Sequence, residues 1–163
     1  MANLFSGDTA SGKIYKHSGF STTISDSFSS PSTAFQGVSW DGTNIYSTDS
    51  ISDKIYQHSG FAATISDSFS SPSTLPRGVL WDGTNIMSAD TQSDKIHKHT
   101  GFSATISDSF SSPSNNPGAL SWDGVNVLSS DTSSDKIYEH TGFSATVADS
   151  FSSPSDAAQV VGW

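Results

Sequence analysis

Gly37-Val38-Ser39-Trp40-Asp41-Gly42-Thr43-Asn44-Ile45-Tyr46-Ser47-Thr48-Asp49 reads as two short β-strands folded about one tight bend. Gly37 to Trp40 is an apolar run, and Asn44 to Asp49 is a second β-prone run. Between them Asp41-Gly42-Thr43 is a strong turn signal, since Asp bonds to nearby backbone and Gly accepts a positive φ. Downstream, Lys54 to His58 reads as a third strand closed by Ser59-Gly60, and Phe61 to Phe69 as a fourth that Pro72 ends. Four short strands joined by tight turns make one antiparallel meander, with little room for a helix.

The same stretch recurs along the whole chain. Lys13-Ile14, Lys54-Ile55, Lys95-Ile96 and Lys136-Ile137 follow one another at a constant step of 41 residues. His17, His58, His99 and His140 keep that step, as do Trp40, Trp81, Trp122 and Trp163. A fixed period of this size marks a repeat architecture, in which each unit buries its apolar face only by stacking on a neighbour. Four such units consume all 163 residues, so residues 1–163 read as a single domain. Low hydrophobic content (33%) alone leans toward disorder, but aromatics held in register argue for a packed fold.

A four-stranded meander repeated end to end is the blade of a β-propeller, an all-β fold. The pattern Gly-Val-x-Trp-Asp-Gly-x-Asn-Ile, then Asp, then Lys-Ile-Tyr resembles the blade repeats of the propeller superfamily, particularly its NHL and YVTN-like groups. It departs from true WD40 repeats, because Trp40-Asp41 leads into the first hairpin instead of closing the third strand. The resemblance implies the fold and no specific activity.

The phase of the chain bears on ring closure. Ala2 to Asp8 aligns with the second strand of a unit, and Val160-Val161-Gly162-Trp163 aligns with the first. Pairing of that C-terminal first strand with the N-terminal blade is the expected latch, as in similar propellers, and it removes an exposed edge. The ring then has either four blades as a monomer or eight as a homodimer formed by terminal strand exchange. The second is an isologous two-fold arrangement. Small residues in the innermost strand (Ser39, Ser121, Gly162) resemble those of larger rings.

Charge narrows the partners. The net charge is −9, with 15 Asp against a single Glu, Glu139. Nucleic acid and anionic membrane surfaces both require a basic footprint, so neither is expected as a partner. Met1 to Asp8 has no signal-peptide pattern, and no apolar run approaches the roughly 20 residues of a membrane helix. A soluble chain is the expectation. There is no cysteine, so thiolate chemistry and disulfides are absent.

Two reading frames compete for each recurring residue. Trp40, Trp81, Trp122 and Trp163 sit beside a turn on the strand nearest the axis, as stacking platforms for a sugar ring or as wedges between adjacent blades. The four histidines on the third strand lie one per blade and cannot converge on one ion, so a hydrogen-bond network within the blade is expected. His97 replaces a tyrosine of the other units and is expected at the surface. Asp41, Asp82 and Asp123 read as turn residues. Asp8, Asp49, Asp90 and Asp131 open a loop that Asp53, Asp94 and Asp135 close in the last three units. Turn capping with an ion pair to the following Lys is favoured there over a Ca²⁺ site. Asp26, Asp67, Asp108 and Asp149 either bond to the histidine or mark a bulge.

No nucleophile elbow, phosphate loop or dinucleotide glycine motif is present. The units also keep one length, without an insertion for chemistry. The expectation is therefore a non-enzymatic chain without cofactor or metal. The units differ most where one blade's outer strand joins the next blade's inner strand, at residues 33–36, 74–77, 115–118 and 156–159. Phe35 and Arg77 are the most recognition-like residues of that face, and variation in repeat proteins often marks the binding surface. A ligand-binding propeller with repeated sites, carbohydrate favoured, is the expected function. A structural or self-assembling scaffold without a small ligand is the alternative.

Overall fold

The computed structural model describes residues 4–154, and they form an all-β propeller of four consecutive blades. Blade 1 holds β1 (Leu4–Asp8), β2 (Lys13–His17) and β3 (Ile24–Ser29). Blade 2 holds β4 (Phe35–Trp40), β5 (Ile45–Asp49), β6 (Lys54–His58) and β7 (Ile65–Ser70). Blade 3 holds β8 (Pro76–Trp81), β9 (Ile86–Asp90), β10 (Lys95–His99) and β11 (Ile106–Ser111). Blade 4 holds β12 (Pro117–Trp122), β13 (Val127–Asp131), β14 (Lys136–His140) and β15 (Val147–Ser152). Every sheet is an antiparallel meander in chain order, three-stranded in blade 1 and four-stranded in the others. The expected closing strand, Val160 to Trp163, lies outside the described residues, and so does Trp163 as a site residue.

The turns form as their residues dictate. In the first hairpin of blade 2, Asp41 Oδ1 accepts from the backbone N–H of Thr43 (2.7 Å) and Asn44 (2.6 Å), while Gly42 takes φ +99°. Asp82 and Asp123 repeat the arrangement. Asn44 Oδ1 then accepts from Gly60 N–H at 3.2 Å, tying the first turn to the one after β6. The fourth strand starts later than its sequence suggests. Residues 61–64 bend out of the strand, with Gly60 at φ +69°, and Phe61 packs among the apolar side chains between blades.

A register shift follows in each outer hairpin. Gln57 pairs with Asp67 but His58 pairs with Ile65, which leaves Ser66 as the extra residue of a bulge. Asp67 is exposed and bonds its own neighbour, the Ser68 N–H, at 2.7 Å. The mid-strand acids thus mark a bulge and do not reach the histidines.

The core is divided between blades, since a single sheet buries little on its own. Ile14, Phe28, Phe35 and Ile45 pack between blades 1 and 2. Tyr46, Ile55, Val79 and Ile86 pack between blades 2 and 3. Leu80, Met87, Ala89, Ile96, Phe110, Leu120 and Val127 pack between blades 3 and 4. Inner strands approach closely where residues are small. A Cβ on Gly37 would lie 2.5 Å from the Arg77 carbonyl oxygen, and one on Gly78 would lie 2.6 Å from that of Gly118. Among the described residues no helix is long and apolar enough to cross a membrane.

Candidate functional site

Each junction between blades packs aromatic side chains at the turn end of the inner strand. Three side chains layer there: one from the second strand of the preceding blade, the tryptophan of the following blade, and the phenylalanine after that blade's third strand. Between blades 1 and 2 these are Phe5, Trp40 and Phe61, with Phe5 ring centroids 5.2 Å from Trp40 and 5.6 Å from Phe61. Between blades 2 and 3 they are Tyr46, Trp81 and Phe102, and Tyr46 stacks on Trp81 at 5.6 Å and 17°. Between blades 3 and 4, Trp122 and Phe143 pack on the cluster containing Met87. All three tryptophans are half-buried. They are wedges between blades that still show part of the indole to solvent.

Polar side chains meet across neighbouring strands of each blade, and the pairs differ from blade to blade. Asp41 Oδ2 accepts from Tyr46 Oη at 2.6 Å, and Gln57 Nε2 donates to the same oxygen of Tyr46 at 3.3 Å. In blade 3 the counterpart is an ion pair, Lys98 Nζ to Asp82 Oδ2 at 3.2 Å. In blade 4, Asn126 Nδ2 donates to Glu139 Oε1 at 2.8 Å. Lys16 lies 6.0 Å from the Phe61 ring centroid, and Lys98 5.8 Å from that of Phe143.

Burial pushes Asp41 and Asp82 upward, but their hydrogen bonds outweigh it and hold both carboxyls below the ordinary value. Burial, then the Asp41 carboxylate, pushes the Tyr46 hydroxyl well above its ordinary range. At neutral pH Asp41 and Asp82 are therefore carboxylates, each already engaged by a neighbouring side chain.

Phe35 and Arg77 lie elsewhere. Phe35 opens β4 and Trp40 closes it, so the two sit about 16 Å apart along one strand. Phe35 is only 4% exposed and is packed in the core between blades 1 and 2. Arg77 is half-buried at the same end of β8, and its carbonyl accepts from Thr48 Oγ1 of the preceding blade. The fold therefore does not unite Phe35 and Arg77 with the tryptophans.

A cavity of about 440 Å³ occupies the axis near the Phe35 end. Its walls are the Phe5 to Thr9 stretch, Phe35 to Val38, Gly78 and Val79, and Ala119 and Leu120. The contributions of Gly7, Gly78 and Ala119 were not legible as site residues. The available signal was the small residue at the equivalent positions Gly37, Gly78 and Ala119, which lets the inner strands approach closely.

The buried histidines pair with serines inside each blade. Ser47 Oγ and His58 Nε2 share a 2.9 Å hydrogen bond, with 3.0 Å for Ser88 and His99 and 2.9 Å for Ser129 and His140. His97 is not at the surface as expected: it is 5% exposed within β10, as its counterpart Tyr138 is 8% exposed within β14, because packing against the neighbouring blade covers that face of the strand. The loop acids act as caps. Asp49 Oδ1 accepts from the N–H of Ile51 and Ser52, both at 2.9 Å, and Ser32 of the preceding blade donates to Asp49 Oδ2. Among the described residues no three His, Asp or Glu side chains gather as a metal site.

No protein-family model matches the sequence, and no curated protein does. Solved structures match widely. A glutaminyl cyclase from Myxococcus xanthus is similar with a TM-score of 0.76 at 12% identity, over 94% of this chain and 67% of that one. BamB from Moraxella catarrhalis is similar with a TM-score of 0.59 at 12% identity, over 92% of this chain and 45% of that one. A chain of a mitotic checkpoint complex is similar with a TM-score of 0.62 at 15% identity, over 94% of this chain and 48% of that one. The chain thus spans about half the length of the last two. The first comparison corrects the expectation of a non-enzymatic chain. An enzyme is built on this arrangement of blades, so regular repeats without a catalytic motif are no ground for excluding catalysis. At these identities the likeness establishes the fold, a β-propeller of tandem blades.

Proposed function

We propose that this chain binds carbohydrate at its repeated inter-blade clefts, one beside each of Trp40, Trp81 and Trp122. The observation that carries the reading is the threefold recurrence of a half-buried indole packed at a blade junction. A pyranose offers an apolar face that suits an indole and hydroxyls that suit carboxylate acceptors such as Asp41 and Asp82. The differing borders (Lys16, then Asp41 with Gln57, then Asp82 with Lys98) tune one cleft against another. Shallow sites of this kind hold a multivalent glycan through avidity, without high affinity at any single cleft.

A glycan array with the wild-type chain is the direct test, followed by Trp81→Phe, which keeps an aromatic wedge, and Asp82→Asn. Binding to a sugar class that weakens in both variants supports the reading. Absence of binding to any glycan overturns it. The scaffold reading is favoured by a separate observation, two aromatic side chains exposed on the first and last described blades: Phe20 is 100% exposed and Phe151 61%.

A further inference from the structure

Inter-blade packing follows one rule three times. The phenylalanine on the outer strand of each blade meets the phenylalanine after the third strand of the next, edge to face. Phe28 meets Phe61, Phe69 meets Phe102 and Phe110 meets Phe143, each at 4.9 Å between centroids. The same outer-strand ring covers the next blade's histidine, with Phe28 to His58 at 5.1 Å, Phe69 to His99 at 5.0 Å and Phe110 to His140 at 4.9 Å.

Among the described residues the rule leaves one outer-strand ring and one receiving pair unmatched. Phe151 in β15 is the fourth outer-strand ring, and Phe20 with His17 is the fourth receiving pair. Phe151 is 61% exposed where Phe28 and Phe110 are each 9% exposed. Phe20 is fully exposed, and His17 is half-buried where His58, His99 and His140 are 0% exposed. With Phe20 fully exposed, the two rings do not meet within one chain.

We propose that these two faces are the halves of a fourth inter-blade interface and that a second copy of this chain fills them. Phe151 of each copy seats against Phe20 and His17 of the other, so both seams reproduce the internal junction. Two copies are the smallest set that matches every exposed half, and the arrangement is a closed two-fold dimer of eight blades. Bare aromatic surface gives the association its driving force. Each copy carries −9, so like-charge repulsion opposes association and added salt strengthens it.

Sedimentation equilibrium of the full chain tests this, read across protein concentration and salt. The expected mass is twice 17.1 kDa, rising in occupancy with salt. Phe20→Asp and Phe151→Asp each replace a side chain already exposed in one chain, so folding is unaffected while dimer dissociation strengthens about tenfold or more. Because the chain has no cysteine, the double variant Phe20→Cys with Phe151→Cys reports the seam directly. Under oxidation it is expected to give a covalent two-chain species. A wild-type mass of one chain at every concentration and salt overturns the proposal. So does an intrachain disulfide at monomer mass, an open polymer, or a dimer that both Asp variants leave unchanged.

Discussion

Ser47 Oγ lies 2.9 Å from His58 Nε2 across neighbouring strands β5 and β6, and both side chains are 0% exposed. The pair satisfies one ring nitrogen inside the blade while Phe28 of the preceding blade covers the ring. Repeated in blades 3 and 4, it makes the histidines part of the packing between blades.

These histidines set the acid limit of the fold. Burial pushes His58 and His99 down to about 4 from an ordinary 6.5, and it also lowers His97 and His140. The unfolded chain therefore binds more protons than the folded one between pH 6.5 and about 4. Their contribution to stability is complete above pH 6.5, declines as the pH falls and is lost by about 4. Asp41, Asp49 and Asp82, held low by their hydrogen bonds, add a second loss below pH 3.8. Calorimetric Tm from pH 7 downward is expected to fall by several degrees in the first window, then collapse in the second. A flat Tm between pH 6.5 and 4.5 would contradict the first part.

Gly7 is expected to tolerate no side chain. A Cβ there would fall inside the ring of Phe35. Gly7→Ala should cost about 1–3 kcal/mol by overpacking, measured by urea unfolding. The cost should shrink in a Phe35→Leu background, and a double-mutant cycle reads the difference.

Trp81→Ala should destabilise the chain by about 3 kcal/mol, because it removes the ring stacked on Tyr46 and opens the junction between blades 2 and 3. Trp81→Phe should cost clearly less. Chemical denaturation of both separates the wedge role from the sugar-binding role, since the Phe variant is expected to stay folded yet bind glycan less well.

Asp94 holds φ +52°, where Gly12 of the first unit holds φ +62°. Its Oδ1 also accepts from Asn116 N–H at 3.1 Å. Asp94→Gly should be nearly neutral, relief of about 1 kcal/mol in the left-handed region offsetting a hydrogen bond of about 1 kcal/mol. Asp94→Ala loses the bond and keeps the strain, so it should cost about 1–2 kcal/mol. Thermal unfolding of the two variants side by side checks the ranking.

Much of the fold was legible because its determinants are local. Asp-Gly turns, β-prone runs and a constant period specify hairpins whatever surrounds them. The candidate site was legible only in part. Trp40, Trp81 and Trp122 do lie at blade junctions, but nothing in their spacing says that Tyr46 stacks on Trp81 or that Lys98 reaches Asp82. Phe35 breaks the repeat, and only the packing shows that its ring fills the space left by Gly7, the glycine that breaks the repeat in β1. His97 was misplaced because alternation along a strand does not show that both faces of β10 are covered.

The strands, their order and the repetition of one blade are written in the chain, because hydrogen bonding between adjacent strands and turn chemistry act over a few residues. Which faces meet is set by the packing of whole blades. The pairing of Phe28 with Phe61, the burial of the histidines, the axial cavity and the bare faces at Phe20 and Phe151 all arise between units that the sequence makes nearly alike. Identical units have identical local preferences, so their differences come from which neighbours the packed array supplies.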